Sequence, residues 1–185
     1  MPWIRTLHED DADGALRDAY EQIEQARGKL SNIMRVQSLN PAAMQAHLKL
    51  YQTLLFGHSR LSRAERELIG TVVSSVNGCA YCTRHHAEAL RAYWSDEERV
   101  EQVIDDWRSA DLSDRERALL RYAVKLTEAP SSMTKSDVAA LRTDDLSDED
   151  VLSVNLITSY FNFVNRITEG LGVTATEEEA SGYEY

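Results

Sequence analysis

Four segments of this chain carry a serine followed three residues later by an acid, each just ahead of an apolar-periodic stretch. They are Ser62-Arg-Ala-Glu65, Ser95-Asp-Glu-Glu98, Ser113-Asp-Arg-Glu116 and, with a shorter acid, Ser147-Asp-Glu-Asp150. In such a capping box the hydroxyl accepts from an orphan N–H of the first turn, while the carboxylate reaches back to the backbone N–H of the serine. Asn40-Pro41 reads as a further helix start, with proline at the first helical position, where its missing N–H costs nothing. So many helix starts in 185 residues leave little room for strands. Composition agrees: eight glycines and three prolines are about half the ordinary share of these residues. A β-sandwich or barrel needs turn residues every ~8–12 positions, and they are missing.

These signals predict helices over roughly 11–27, 41–56, 63–76, 80–92, 96–108, 114–128, 135–142 and 148–169, with a short helical turn near 32–38. Gly28, Gly57 and Gly170 are placed as helix stops. Leu119, Leu120, Ala123, Val124 and Thr127 share one face of their helix. In the last helix Val151, Leu152, Val154, Leu156, Ile157, Tyr160, Phe161, Val164 and Ile167 leave little polar surface, so that helix is expected at the centre of the fold or at a subunit contact. The expected fold class is all-α, a compact helical bundle forming one domain over 1–175. The polar tail at 176–185, with three successive glutamates, is expected to be disordered or loosely docked. Leu61-Ser62-x-x-Glu65 and Leu146-Ser147-x-x-Asp150 also start apolar helices 85 residues apart. Applying that shift takes Glu67 to Leu152, Cys79 to Val164, Cys82 to Ile167 and His86 to Leu171. The pattern fits a degenerate internal duplication, with a chemical copy at 62–90 and a packing copy at about 147–173.

Twenty Lys and Arg against 31 Asp and Glu give a net charge of −11. Such a chain repels phosphate backbones and anionic lipid, so neither nucleic acid nor membrane is an expected partner. No apolar run approaches the ~20 residues of a membrane helix. The N-terminal Met-Pro-Trp-Ile-Arg-Thr-Leu-His-Glu lacks the basic-then-apolar pattern of a signal peptide, and a cytoplasmic location is the expectation.

The two cysteines, Cys79 and Cys82, are three residues apart. In a cytoplasmic chain that spacing reads as redox chemistry or metal binding. Asn77-Gly78 supplies a tight turn that puts Cys79 at a helix start, where unpaired N–H groups and the positive end of the helix stabilise a thiolate. With about 100° per residue and Cys79 at zero, Cys82 falls near 300°, His86 near 340° and His85 near 240°. His86 therefore lies within the arc of the two sulfurs, where an imidazole can take or return a proton. His85, beside Arg84, is expected to face solvent or an interface. Glu67 heads a small polar stripe with Gly70, Thr71 and Ser74 in an otherwise apolar helix, from which it could touch water leading to the cysteine–histidine site. On spacing alone a solvated position beside Arg63 and Arg66 fits Glu67 as well; a buried carboxylate needs a partner, and His86 is the obvious one.

Glu67, Cys79, Cys82 and His86, together with the Leu-Ser-x-x-Glu helix start, Arg35 to Phe56 and Ser159-Tyr-Phe-Asn-Phe-Val-Asn-Arg166, resemble the alkyl hydroperoxidase D and carboxymuconolactone decarboxylase family. The likeness covers roughly Ser31 to Val173 and is greatest to the peroxidase-related subgroup. It implies a helical bundle that associates into homo-oligomers, and a cofactor-free thiol peroxidase acting on hydroperoxides. It also implies that Cys82 attacks the peroxide and Cys79 resolves the sulfenic acid, although spacing alone allows Cys79 to attack equally well. His86 would shuttle the proton, Glu67 would fix its tautomer or accept the proton through water, and a lipoyl- or thioredoxin-type dithiol would reset the pair. Some members carry histidine immediately before the second cysteine; this chain carries Tyr81, which bears on the reductant.

Competing readings exist for each feature. Zinc needs four ligands, whereas one chain offers two cysteines and a histidine, so a metal site would have to be shared between subunits. A non-redox decarboxylase on the same scaffold, or a redox-sensing protein without turnover, also fits the motif. His47 and His58 read as packed or surface histidines, and His8 as solvated. The Tyr51-Leu54-Leu55 and Phe161-Val164 faces read as core or subunit contact. No glycine-rich phosphate loop or flavin or nicotinamide fingerprint is visible, and no cofactor is expected.

Overall fold

The computed structural model describes residues 2–142, 146–175 and Glu179. Among them there are no strands. The helices are α1 (Gly14–Arg27), α2 (Asn32–Arg35), α3 (Pro41–Phe56), α4 (Arg63–Val76), α5 (Ala80–Trp94), α6 (Glu97–Asp106), α7 (Asp114–Glu128), α8 (Lys135–Arg142) and α9 (Asp148–Leu171), with two short 3-10 turns at Glu9–Asp11 and Pro130–Ser132. The protein is all-α. The tail expected to be loosely held, 176–185, lies outside the described residues apart from Glu179.

Three reciprocal capping boxes form as the sequence implies, at Ser62 with Glu65, Ser113 with Glu116 and Ser147 with Asp150. The fourth does not. Ser95 closes α5 at φ 53°, and Asp96 takes over the start of α6 by accepting from the Arg99 amide at 3.0 Å. The chain passes from α5 to α6 with too few residues for Ser95 to serve both ends. Asn40 caps α3 through the Ala43 amide at 3.1 Å, ahead of Pro41. Gly28 closes α1 in the left-handed region. Gly170, expected as a stop, lies inside α9, and Gly172 at φ 62° ends that helix instead.

Helix α4 is the centre of the molecule and packs on α5, α9, α7, α3 and α6. Its Ile69 and Val73 join the main core with α1, α3, α7 and α9 residues such as Ile23, Met44, Leu119 and Phe161. Its Leu68 and Val72 join a second core with Leu90, Val100, Val103 and Trp107. Residues 66–74 are buried without interruption, which takes in two charged side chains, Arg66 and Glu67. Arg66 is satisfied by carbonyls at the end of α3, donating to Leu55 at 3.0 Å and Gly57 at 2.8 Å, and to Leu61 at 2.9 Å. A cation there meets the carbonyl groups that a helix end leaves unpaired. α9 packs against α3, α4, α5, α7 and α8 and leaves Leu152, Leu156 and Phe163 exposed. No helix among the described residues is long and apolar enough to cross a membrane.

Candidate active site

Asn77 and Gly78 end α4 and turn the chain into α5. Gly78 sits at φ 69°, where a Cβ would be strained, and the Cys79 amide donates to the Ser74 carbonyl at 2.9 Å. Cys79 is thereby the N-cap of α5 and Cys82 lies in its first turn. Two asparagines of α9 hold the turn. Asn77 Nδ2 donates to Asn165 Oδ1 at 2.9 Å and Asn162 Oδ1 at 3.2 Å, while Asn165 Nδ2 donates to Ser74 Oγ at 3.1 Å.

Both cysteines are reduced and buried. Their environments push their acidities apart. The hydrogen bond from the Cys79 thiol, the attraction of His86 and hydrogen bonds from Thr168 and Asn165 together outweigh burial and bring Cys82 down to about 7. Cys79 is pushed well above the ordinary thiol range, by its hydrogen bond to Cys82, by burial and by the charge Cys82 carries when ionised. Thr168 Oγ1 stands 3.6 Å from Cys82 Sγ and 3.0 Å from the Val164 carbonyl, so its single hydrogen serves one or the other. Thr168 lies just past the Ser159–Arg166 motif, and no sequence signal singles it out.

His86 meets Glu67 directly. The ring Nδ1 lies 2.7 Å from Glu67 Oε2, and a carboxylate only accepts, so Nδ1 carries the hydrogen. The other ring nitrogen, Nε2, is then left with a lone pair that can receive a thiol proton. Arg63 Nη2 donates to Glu67 Oε1 at 2.7 Å, so both oxygens have partners although the side chain is 1% exposed. The His86 ring rests edge-on against Phe161, with centroids 4.5 Å apart. Phe161 in turn lies flush on Gly70, where a Cβ would fall 2.4 Å from the ring.

These contacts refine the sequence readings. Along the stripe below Glu67, Gly70 receives Phe161, Ser74 serves Asn165, and Thr71 Oγ1 donates to the Glu67 carbonyl at 2.9 Å. Arg63, expected only as a neighbour of a solvated Glu67, is the second partner of a buried Glu67. His85, expected to face solvent or an interface, is partly buried. Its Nδ1 donates to the Tyr81 carbonyl at 2.8 Å and its ring stacks on Tyr81 at 4.3 Å between centroids, which folds it back along α5.

A cavity reaches the site between α3, α5, α9 and the segment around α2. Cys82, His86 and Glu67 line it with Tyr81, His85, Ser31, Ile33, Met34, Tyr51, Ala89, Tyr160 and Val164; Cys79 is not among the lining residues. Tyr51 and Val164, expected only as core or contact, thus serve the cavity as well. His47 is packed, as expected, and holds the wall: its Nε2 lies 2.8 Å from Tyr160 Oη. His58 and His8 are exposed. Among the described residues no group of three or more His, Cys, Asp or Glu side chains is placed to hold a metal ion.

An all-helical bundle with a Cys-x-x-Cys pair at a helix start and a Glu–His pair on the adjoining helices defines the class of protein. The carboxymuconolactone decarboxylase family profile matches residues 41–125. A solved structure of an uncharacterized peroxidase-related protein from Silicibacter sp. TM1040 is 30% identical, with a TM-score of 0.83 over 91% of this chain and 90% of that one. An alkylhydroperoxidase AhpD core structure, of an uncharacterized peroxidase-related protein from Ralstonia eutropha JMP134, is 25% identical with a TM-score of 0.87, covering 97% and 94%. The uncharacterized protein YdfG of Bacillus subtilis (strain 168) is 29% identical over 121 residues, 65% of this chain and 82% of that protein. The chain belongs to the alkylhydroperoxidase D and carboxymuconolactone decarboxylase family.

Proposed function

We propose that the protein is a cofactor-independent thiol peroxidase that reduces hydroperoxides through a Cys79–Cys82 dithiol and disulfide cycle. The observation that carries this reading is the asymmetry of the pair. Cys82 lines the cavity and ionises near neutral pH, whereas Cys79 stays protonated behind it. His86 Nε2 takes the Cys82 proton. The thiolate attacks the outer peroxide oxygen, the O–O bond breaks, and the departing alkoxide recovers the proton from His86 as an alcohol. Cys82 is left as a sulfenic acid. Cys79 then attacks that sulfur, water leaves, and the disulfide closes. A lipoyl- or thioredoxin-type dithiol returns both thiols by exchange and leaves as its own disulfide. Glu67 is a positioning residue, holding the ring so that Nε2 receives the proton.

Exposed Leu152, Leu156 and Phe163 on α9, with Leu50 and Phe56 on α3, support association into a homo-oligomer. A cycle that ends in dithiol reduction needs a reducing compartment, which supports a cytoplasmic location.

The test is steady-state consumption of hydrogen peroxide and an organic hydroperoxide with each dithiol, beside a Cys79→Ser/Cys82→Ser double variant. Peroxide-dependent dithiol oxidation that vanishes in the double variant, with a Cys79–Cys82 bridge inside one chain on peptide mapping, is the expected result. Catalysis that survives the double variant would move the reading to non-redox chemistry. A bridge that forms without turnover would make the pair a switch.

A further inference from the structure

Glu179 is 9% exposed, although the chain carries a charge of −11 and Glu179 follows two other glutamates in sequence. A carboxylate leaves water only where donors replace it. Here they converge from separate elements. Tyr81 Oη donates to Oε1 at 2.5 Å, and the backbone N–H of Asn32 donates to the same oxygen at 2.6 Å. Asn32 Nδ2 donates to Oε2. Lys29 Nζ donates to the Glu179 carbonyl at 2.7 Å, while His85 Nε2, 3.9 Å from Oε1, lies beyond hydrogen-bond distance.

The donor set is held in place independently of Glu179. Asn32 Oδ1 accepts from Arg35 at 2.8 Å, which turns the amide nitrogen of that side chain toward the carboxylate. Tyr81 is buried, and its oxygen also accepts from the Ile33 amide at 3.2 Å. His85 gives its Nδ1 hydrogen to the Tyr81 carbonyl and stacks on the Tyr81 ring, which steadies Tyr81. Tyr81 and His85 are at the same time walls of the cavity that ends at Cys82. Much of the remaining wall, Ile33, Met34, Tyr51 and Val164, is apolar or aromatic. A molecule with an apolar body and a carboxylate head matches that surface.

We propose that Tyr81 and Asn32 form a carboxylate-binding site for an acid-bearing hydroperoxide, which Glu179 occupies from within the same chain until the substrate displaces it. The substrate part of this proposal rests on the peroxidase reading; the carboxylate site does not. An occupant tethered to the same chain competes at an effective concentration in the millimolar range. An external acid then binds with its affinity reduced by the fraction of molecules in which the site is open.

Octanoate and octanamide, which do not react with thiols, separate the charge from the apolar body in calorimetric titrations of the full, reduced chain. Octanoate is expected to bind Glu179→Ala about tenfold more tightly than the parent, with octanamide changing less than about twofold. Adding Tyr81→Phe to Glu179→Ala removes the gain. Glu179→Gln, which keeps the length and one acceptor oxygen but loses the charge, gives a smaller gain of the same sign. Equal responses of acid and amide, or no response of octanoate, would overturn the site. In turnover, Glu179→Ala lowers KM for a hydroperoxy fatty acid but not for cumene hydroperoxide, which has no carboxylate. A fall confined to a carboxylate-bearing dithiol would assign the site to the reductant and overturn the substrate assignment. If peroxide turnover is absent while the octanoate result holds, the peroxidase reading and the substrate assignment fall, and the carboxylate site stands.

Discussion

Glu67 accepts a hydrogen bond from His86 Nδ1 at 2.7 Å and, through its other oxygen, one from Arg63 at 2.7 Å. The carboxylate therefore does two things at once: it sets the tautomer of the ring beside Cys82, and it neutralises a cation at the start of α4. The sequence alone proposes the first role and misses the second.

Glu67→Gln tests both. The amide presents one acceptor and one donor, so either Arg63 or the His86 N–H meets a donor. With the charge gone, the imidazolium that helps lower Cys82 loses support, and the pH at which Cys82 ionises rises above about 7. Peroxide turnover is expected to fall roughly ten- to hundredfold, partly recovered at higher pH. Because Glu67 is 1% exposed and Arg63 is partly buried, stability should also fall by about 1–3 kcal/mol in urea unfolding. A pH–rate profile that does not move, with stability lost, would leave Glu67 a purely structural residue.

The two sulfurs are separated by substitutions at Cys79. Its thiol is the largest cause of the lowered Cys82 acidity, and a serine hydroxyl can donate in its place. Cys79→Ser should leave Cys82 ionising near 7 and able to react once with peroxide, trapped as a sulfenic acid. Cys79→Ala should raise the midpoint of alkylation against pH and slow that single turnover. Folding stability follows the same sign. Cys82 is lowered by folding, so its contribution is present above the ordinary thiol value and lost as pH falls through about 7. The parent chain should gain stability over Cys82→Ser between about pH 7 and 9. No difference between the serine and alanine variants at Cys79 would remove that hydrogen bond as the cause.

The helix starts were legible because a capping box is local chemistry: the residues that satisfy orphan amides lie three apart in sequence. Ser62, Ser113 and Ser147 behave that way. Ser95 fails because its choice depends on where α5 ends, which packing decides. The quartet Glu67, Cys79, Cys82 and His86 was legible by its spacing and its family likeness. Its supports were not. Arg63 is one turn before Glu67, but nothing local says whether an Arg-x-x-x-Glu pair faces water or the core. Thr168, Asn165 and Phe161 reach the site from α9, and Glu179 lies 98 residues from Tyr81. Angle counting on an ideal helix sets His85 apart from the two sulfurs but cannot show that Tyr81 draws its ring back along α5.

Gly70→Ala probes the contact beneath the histidine. The added Cβ would lie 2.4 Å from Phe161 Cζ, far inside contact distance, on a helix too tightly packed to withdraw. Phe161 must tilt, and its edge contact supports the His86 ring. Overpacking of this kind typically costs about 1–3 kcal/mol, more than alanine's better helix propensity returns. Urea unfolding should show that loss, and peroxide turnover should fall with it. A variant as stable as the parent would mean that Phe161 repacks freely.

His47 supplies a pH response that is independent of the thiols. Gln37 Nε2 donates to the Ile33 carbonyl at 2.7 Å, so its nitrogen also faces His47 Nδ1 at 2.8 Å as a donor. Nδ1 must accept, and Nε2 carries the hydrogen offered to Tyr160 Oη at 2.8 Å. Burial holds the ring neutral and lowers it from 6.5 to about 4, and a proton on Nδ1 would meet the Gln37 amide hydrogens. The unfolded chain takes up that proton below pH 6.5 while the folded chain does not until about 4, so stability falls across this window as pH drops. The loss should reach about 3 kcal/mol at the acid end. His47→Gln keeps a donor for Tyr160 without a titrating group, so its unfolding free energy should be lower than the parent's at pH 7.5 but flatter between 6.5 and 4. Urea midpoints of both chains at several pH values measure this directly. Parallel slopes would mean that His47 is protonated in the folded protein and that Tyr160 is held by a different tautomer.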